Sequence, residues 1–435
     1  MDRLAMAKLS AWRRKPSRKP LIVRGVRQCG KTWLLKAFGT AEYTQQVYLN
    51  FEREPSLAGL FAADLDPQRI LREIALLREQ TIEPDTTLLI LDEIQACPAA
   101  LTSLKYFAEE ASQYSIAAAG SLLGLAVHGD ATFPVGKVDF VDLHPMSFDE
   151  FLLAGGHEAL VQYLGSLAPG KVVSAPLATK AESLLREYLM VGGMPEAITA
   201  WLDSHDIAAV EEVQQAILDS YTLDMAKHSS PAVFPKLSAI WRSVPGQLAR
   251  ENKKFVFSQV ARGARAKDLE DALEWLVSAG IAIKVNRVAH AGIPLAAYSD
   301  DRYFKLYLAD VGLLRRLANV PASVIILPSD TYPHFRGALI ENYVLTQLVA
   351  AGVARPYFWR SDNSAEVDFL IQVDADVVPL EVKAEHNTAS KSLAVYKRTF
   401  APARALTLSM KPTVDGHLPL YCAWDVAGYL ARLVD

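Results

Sequence analysis

Residues 25–32 read Gly-Val-Arg-Gln-Cys-Gly-Lys-Thr. Two glycines with four residues between them, then a lysine and a hydroxyl, suit a loop whose backbone N–H groups surround the phosphates of a nucleoside triphosphate. Gly25 and Gly30 permit backbone angles and a close approach that a Cβ would block. Val26, Arg27, Gln28 and Cys29 supply the rest of the cradle. Lys31 would reach the β- and γ-phosphate oxygens, and Thr32 would offer its hydroxyl to Mg²⁺. Trp33 follows in a stretch able to open a helix, whose N-terminal dipole favours an anion. A second group lies at 88–93, LLILDE. Its apolar run reads as a buried strand of a parallel sheet, and ligands bind at the carboxyl ends of such strands. Asp92 there suits the Mg²⁺ shell, directly or through water, and Glu93 suits polarisation of an attacking water. A neighbouring run, SIAAAG at 115–120, ends on Ser121. That hydroxyl is placed either to sense a γ-phosphate or to cap a helix. ATP or ADP with Mg²⁺ is the cofactor set these residues imply.

A further constellation lies near the other end. A helical stretch carries Glu341, AEVDFLIQV carries Asp368, and VVPLEVKA carries Glu381 and Lys383. Residues two apart on a strand share a face, so Glu381 and Lys383 project side by side, and Asp368 can join them across a hairpin. An acidic pair can hold Mg²⁺ while a lysine orients a bound water, which is the chemistry of Mg²⁺-dependent phosphodiester cleavage. Alternating charge on a half-exposed strand is the other account, and a fold can outlive its chemistry.

The elements that must position these residues alternate. Strand-like runs at 20–23, 47–51, 88–92, 115–120 and 138–143 with helical stretches between them predict a parallel α/β sheet. Ser147 and Glu150 form a capping-box pattern. Residues 157–225 are helical, broken at Gly192-Gly193 and Pro195, and read as a lid or bundle. From 233 to 288 the pattern changes, and FSQVARGARAKDLEDALEWLVSAGIAIKVNRV reads as helix, turn, helix and strand, a winged helix-turn-helix pattern. Lys253, Lys254, Arg262, Arg265 and Lys267 surround its turn, which makes DNA a candidate partner. Asp268, Glu270, Asp271 and Glu274 on the same helix oppose phosphate, so a protein contact or a structural role stays open. The domains expected are an ATPase core at 1–160, a helical lid at 161–230, a winged-helix element at 231–300 and a nuclease-like α/β domain at 301–435. The first twenty residues predict a short amphipathic helix on Leu4, Leu9 and Trp12. Its basic end (Arg13, Arg14, Lys15, Arg18, Lys19) is either solvated or placed to touch adenine or a phosphate backbone.

Bulk properties narrow the class. A chain of 435 residues that is 51% hydrophobic and 22% charged has material for several cores. A net charge of −4 does not demand a nucleic-acid partner. Cys29, Cys97 and Cys422 match no zinc spacing and favour a reducing, cytoplasmic setting. No apolar run approaches a membrane span, and no secretory signal is evident, so no membrane partner is expected.

Together these stretches resemble the prokaryotic AAA-type ATPases that join an N-terminal ATPase to a C-terminal domain of uncharacterised function with a nuclease-like core. The resemblance rests on RKPLIVRGVRQCGKTWLL, YLNFE, LLILDEIQACP, AAAGSLLG, HPMSFDEFL, YLMVGGMPEAI, YLADVGLL, GALIENYV, AEVDFLIQ and PLEVKAE, in that order along the chain. It implies an AAA+ fold, ATP with Mg²⁺, a winged-helix element and a C-terminal domain similar to the PD-(D/E)xK nucleases. The ATP roles it implies fall on Gly25, Gly30, Lys31, Thr32, Asp92 and Glu93; the nuclease-like positions fall on Glu341, Asp368, Glu381 and Lys383. One departure stands out: Val367, not proline, precedes Asp368, which makes Glu366 a rival for a metal role. The cationic finger usual in such ATPases could fall on Lys137 or Arg186, and a finger supplied in trans would make the chain a homo-oligomer. The expected function is an ATP-hydrolysing switch or motor acting on a nucleic acid. Its alternatives are an active Mg²⁺-dependent nuclease and an ATP-controlled protein scaffold with an inert nuclease-like core.

Overall fold

The computed structural model describes residues 3–121, 133–326, 333–353, 355–361, 365–384, 390–411 and 416–433. Within the stretches quoted for the resemblance, residues 122–124 and 385 lie outside the described residues. The chain divides into two compact units, Met1–His144 with Ser278–Gly280, and Pro145–Val277 with Ile281–Asp435.

The first unit begins with α1 (Ala5–Arg14), followed by β1 (Leu21–Gly25), α2 (Lys31–Glu42), β2 (Gln45–Asn50), α3 (Pro67–Arg78), β3 (Thr87–Asp92), α4 (Pro98–Glu110), β4 (Ser115–Ser121) and β5 (Asp139–Leu143). The strands form one sheet in the order β2-β3-β4-β1-β5, with every neighbour parallel. All five expected strands are present. The β3 run TLLILD is buried at every position, because a central parallel strand is covered on both faces. Leu89, Leu91 and Ile116 of the sheet pack with Ile70 and Ile74 of α3 and with Leu101, Leu104 and Phe107 of α4. In α1, Leu9 and Trp12 are buried as their spacing predicts, but Leu4 precedes the helix and is 52% exposed. The basic residues after it are engaged within the unit. Arg13 pairs with Glu42 at 2.8 Å and lies over the Tyr43 ring, Lys15 pairs with Asp139 at 2.8 Å, and Arg18 and Lys19 donate to the carbonyls of Gln113 and Gly136. These partners lie at the amino edge of the sheet, opposite the edge that carries Gly25–Thr32. The cluster therefore fastens α1 to the sheet and does not approach the phosphate loop.

The second unit holds the helices α5 (Phe148–Ala154), α6 (Glu158–Gly165), α7 (Ala175–Val191), α8 (Pro195–Ser204), α9 (Ile207–His228), α10 (Phe234–Leu248) and α11 (Ala266–Ser278, its last residue grouped with the first unit). After them come β6 (Ala282–Val288), β7 (Ser299–Leu308), α12 (Val311–Leu317), α13 (Ala322–Ile326), α14 (Pro333–Ala350), β8 (Tyr357–Arg360), β9 (Glu366–Val373), β10 (Asp376–Val382), α15 (Lys391–Phe400), β11 (Leu406–Ser409), β12 (His417–Pro419) and α16 (Val426–Arg432). The strands make a mixed sheet in the order β12-β11-β10-β9-β8-β6-β7. Two expected boundaries, at 160 and 300, fall inside elements. Residue 300 falls inside β7, and β6 pairs in parallel with β8, so the strands after α11 belong to the C-terminal sheet and not to a separate wing. Residues 145–160 belong with the second unit, where Phe148 N–H donates to Gln347 Oε1 at 2.8 Å and Tyr188 O–H donates to the Met146 carbonyl at 2.6 Å.

Local signals read from the chain account for several joints. Ser147 and Glu150 form the capping box of α5. The break between α7 and α8 falls at Gly192-Gly193, with Pro195 opening α8. Gly192 has φ +79°, and a Cβ there would lie 2.4 Å from the Asp310 carboxylate. Asp310 accepts from the N–H groups of Gly193 (2.5 Å) and Leu313 (2.8 Å), which ties this turn to the start of α12. On α11, Leu269, Ala272, Leu273 and Leu276 are buried, as the period of the stretch predicts.

Candidate functional site

The phosphate loop joins the carboxyl end of β1 to α2. Gln28 at φ +63° and Gly30 at φ +92° bracket Cys29, and such left-handed positions turn successive N–H groups to one side of a loop. Their carbonyls then point the other way and need donors. Arg3, 6% exposed, meets that need for Cys29: Nη1 donates to the Cys29 carbonyl at 2.8 Å, while Nη2 donates to the His144 carbonyl at 2.7 Å. Cys29 is fully buried, with Sγ 3.5 Å from the Leu143 carbonyl. A Cβ on Gly25 would lie 2.1 Å from that same oxygen, so only glycine fits where the loop leaves β1. Lys31 Nζ donates to the carbonyls of Gly25 (3.0 Å) and Val26 (2.9 Å), which holds the ammonium over the loop. Trp33, one residue past Thr32, is 46% exposed.

Thr32 and the β3 carboxylates converge here. Thr32 Oγ1 donates to Asp92 Oδ2 at 2.9 Å. The same oxygen accepts from Tyr48 O–H at 2.7 Å and from Asn50 Nδ2 at 3.4 Å. Burial, reinforced by the bond to Asp92, pushes the Tyr48 phenol up to about 12 and keeps it a donor. A hydroxyl and a buried carboxylate this close are the hard oxygen donors that Mg²⁺ takes, so the donor set fits that ion. Glu93 sits at φ +52°, and Gln95 Nε2 donates to its Oε2. Ser121 pairs in register with Gly25, placing its residue beside the start of the loop. Tyr48, Asn50, Gln95 and Arg3 escaped the reading of the chain. A signal existed for two of them: Tyr48 and Asn50 are polar residues two apart on a strand beside LLILD. Lys137 does not serve as a finger in its own subunit. It pairs with Glu109 at 2.9 Å and precedes β5, at the sheet edge opposite the loop. Arg186 lies on α7 in the second unit.

In the second unit the sheet assembles Glu341, Asp368, Glu381 and Lys383, with two further lysines. The β9–β10 register pairs Phe369 with Leu380, which puts Asp368 beside Glu381. Asp368 Oδ2 accepts from Val382 N–H at 2.8 Å. Glu381 Oε1 accepts from Lys383 Nζ at 2.7 Å and Ser390 Oγ at 2.8 Å. Glu341, on α14, accepts from Lys253 Nζ and from Tyr307 O–H at 2.9 Å. Lys305 of β7 is fully buried, its Nζ 2.6 Å from Glu366 Oε1 and 3.7 Å from Glu341 Oε2. Glu366 also pairs with Arg360 at 3.2 Å. Burial, and then the charges of Glu341 and Glu381, hold the Asp368 carboxyl well above the usual carboxylate range. Glu341 is held at about 2: burial opposes its charge, and Lys253 and Lys305 overcome it.

These contacts give each glutamate of the constellation a cationic partner, an ammonium or a guanidinium. Among the described residues no group of three or more His, Cys, Asp or Glu could hold a metal ion. The donor set does not fit Mg²⁺. Lys253 is also removed from the winged-helix basic cluster, because Glu341 holds it. Lys305 had a signal in the chain: YFKLYL puts Tyr303, Lys305 and Tyr307 on one face of β7 and Phe304, Leu306 and Leu308 on the other.

Residues 17–152 match the model of a family described as AAA domain, and this span contains the loop, Asp92, Glu93 and Ser121. Residues 182–324 and 336–413 match two domains of unknown function, DUF8612 and DUF4143. No curated protein matches. Among solved structures, the Walker-type ATPase PABY2304 of Pyrococcus abyssi is 15% identical over 73% of this chain and 95% of its own, with a TM-score of 0.46. The ORC1 protein of Aeropyrum pernix, solved in complex with DNA, is 12% identical over 74% of this chain and 92% of its own, with a TM-score of 0.29. Scores this low leave mechanism to the chain's own residues. The five-stranded parallel sheet flanked by helices, with the matched AAA span, defines the N-terminal unit as a P-loop NTPase domain. Within that class, residues 17–152 are similar to the AAA type. Among the described residues no helix is long and apolar enough to cross a membrane.

Proposed function

We propose that this chain binds and hydrolyses ATP at Gly25–Thr32 and uses the cycle to switch the state of its second unit on a nucleic acid. The observation that carries the ATP part is the convergence of Lys31, Thr32, Asp92 and Glu93 on one edge of a parallel sheet. Bound Mg²⁺, held by Thr32 and Asp92, would neutralise charge on the β- and γ-phosphate oxygens. The chain's own residues do the rest. The loop amides and Lys31 bind and orient the triphosphate, Glu93 takes the proton of the attacking water, and Gln95 holds Glu93 in place. Ser121, in register with Gly25, would sense the γ-phosphate.

The nucleic-acid part is supported by one surface of the second unit. The part-exposed Tyr303 ring has Lys254 Nζ 4.0 Å from its centroid and the guanidinium carbons of Arg287 and Arg360 at 5.2 and 5.9 Å. Cations around an aromatic ring suit a phosphate backbone with stacked bases. The test is ATP hydrolysis with and without single-stranded and duplex DNA at low salt, where phosphate contacts are strongest. Stimulation by either supports the reading; equal rates, with no binding, leave the ATPase and remove the nucleic acid. The protein-scaffold reading is favoured by the lysine-filled centre beside Glu341, and it predicts the latter outcome.

A further inference from the structure

The structure assigns Lys305 as the resident counter-ion of the C-terminal centre: its ammonium stands among the carboxylates where a nuclease-like core would need a divalent cation, so the centre works without a metal. This goes beyond the ATP reading and does not depend on it.

Three observations carry the inference. The first is position. Lys305 Nζ lies between Glu366 Oε1 and Glu341 Oε2, carboxylates from two different elements, β9 and α14. An ion bridging those elements would sit between the same oxygens. The second is charge. Glu341, Glu366, Asp368 and Glu381 are four carboxyl groups, and Lys253, Lys305, Lys383 and Arg360 are four cations against them, so removing Lys305 leaves the cations one short. With Lys305 in place, a divalent ion would find no net negative charge to neutralise. The third is confinement. The Lys305 side chain is 1% exposed, and its Nζ lies 4.8 Å from the centroid of the Phe358 ring. A metal that displaced it would leave an unpaired ammonium in this interior, so it is not displaced cheaply. Lys383 and Ser390 hold Glu381 Oε1 and the Val382 amide holds Asp368 Oδ2, while Glu381 Oε2 is buried without a hydrogen-bond partner.

The experiment is a Mn²⁺ titration of the full chain without nucleotide, by calorimetry and by the electron paramagnetic resonance signal of free Mn²⁺. An Asp92→Asn background removes the N-terminal carboxylate from the count. In that background no saturable Mn²⁺ binding is expected up to about 1 mM, the range of weak, non-specific sites. Adding Lys305→Ala should create a saturable site at least tenfold tighter, with a melting temperature that rises with Mn²⁺. Lys305→Arg, which keeps the charge, should create none. The proposal is overturned if the Asp92→Asn protein binds Mn²⁺ at a site that Asp368→Asn abolishes. It is equally overturned if the Lys305→Ala protein has a native circular-dichroism spectrum yet takes up no Mn²⁺. Should Lys305→Ala fail to fold, the comparison with and without Asp368→Asn decides alone.

Discussion

Lys31 is bound to two carbonyls of its own loop, and phosphate oxygens are stronger, charged acceptors for the same protons. Lys31→Ala should therefore abolish ATP binding in a calorimetric titration and leave the melting temperature of the free protein nearly unchanged. Glu93→Gln keeps the shape and the contact with Gln95 but removes the base. ATP affinity should persist while turnover falls by about 10²–10⁴, the usual worth of a general base. At the other centre Glu341 is pulled down to about 2 by Lys253 and Lys305 against its burial. A lowered carboxyl adds stability that is present above the unfolded value, 4.5, and is lost as pH falls toward 2. Glu341→Gln should thus destabilise the protein at pH 7, by on the order of 3 kcal/mol in urea unfolding, and the gap from the parent should close between pH 4.5 and 2. Asp368 has the opposite sign. Its raised carboxyl favours the fold at low pH and loses that favour as pH rises, so Asp368→Asn should leave stability at pH 7 equal or higher.

At the scale of elements, α1 is a strap across the first unit. Its basic end is fixed at the amino edge of the sheet, and Arg3, just before it, reaches the phosphate loop at the other edge. A loop that must aim its amides inward needs its outward carbonyls satisfied, and Arg3 satisfies the one at Cys29. Arg3→Ala should raise the Kd and KM for ATP about tenfold, the worth of a charged hydrogen bond, with kcat within twofold; Arg3→Lys should recover part of the affinity. The α7–α8 joint allows no side chain either, since a Cβ on Gly193 would lie 2.2 Å from the Met146 carbonyl. Gly193→Ala should cost about 2–4 kcal/mol in urea unfolding. What could be read from the chain follows the range of the interaction. Gly25–Thr32, LLILDE and the Gly192-Gly193 break are local patterns, and the five apolar runs announce a parallel sheet because both faces are covered. Tyr48 and Asn50 reach Asp92 only through a register between strands about forty residues apart, which no local pattern encodes. Lys253 and Lys305 meet Glu341 through the same kind of long-range pairing. The parallel β6–β8 contact joins residues about seventy apart, so an apparent wing became part of a larger sheet.

For the whole molecule, one unit carries the nucleotide loop, and a sheet of mixed direction in the other carries a centre filled with its own lysines. The chain passes between them at residues 144–145, 277–278 and 280–281, and within the first unit the His144 carbonyl shares the Arg3 guanidinium with Cys29 of the loop. The net charge of −4 gives the chain no general attraction for polyanions, so any nucleic-acid contact must come from a local patch. The cations around Tyr303 are the best-defined such patch, and they lie far from the nucleotide loop in sequence. This separates two explanations of any DNA effect. Tyr303→Ala, with Lys254→Ala, should reduce single-stranded DNA binding at 50 mM salt by tenfold or more, because stacking is worth about 1–3 kcal/mol per base and each phosphate contact adds to it. ATP turnover measured without DNA should be unchanged, since neither residue belongs to the first unit. Fluorescence anisotropy with a labelled oligonucleotide reads the first quantity and phosphate release reads the second. If both variants bind DNA as tightly as the parent, the patch is a solvated surface. If the parent itself does not bind, the second unit acts on a protein, with its lysine-neutralised centre as a structural clasp.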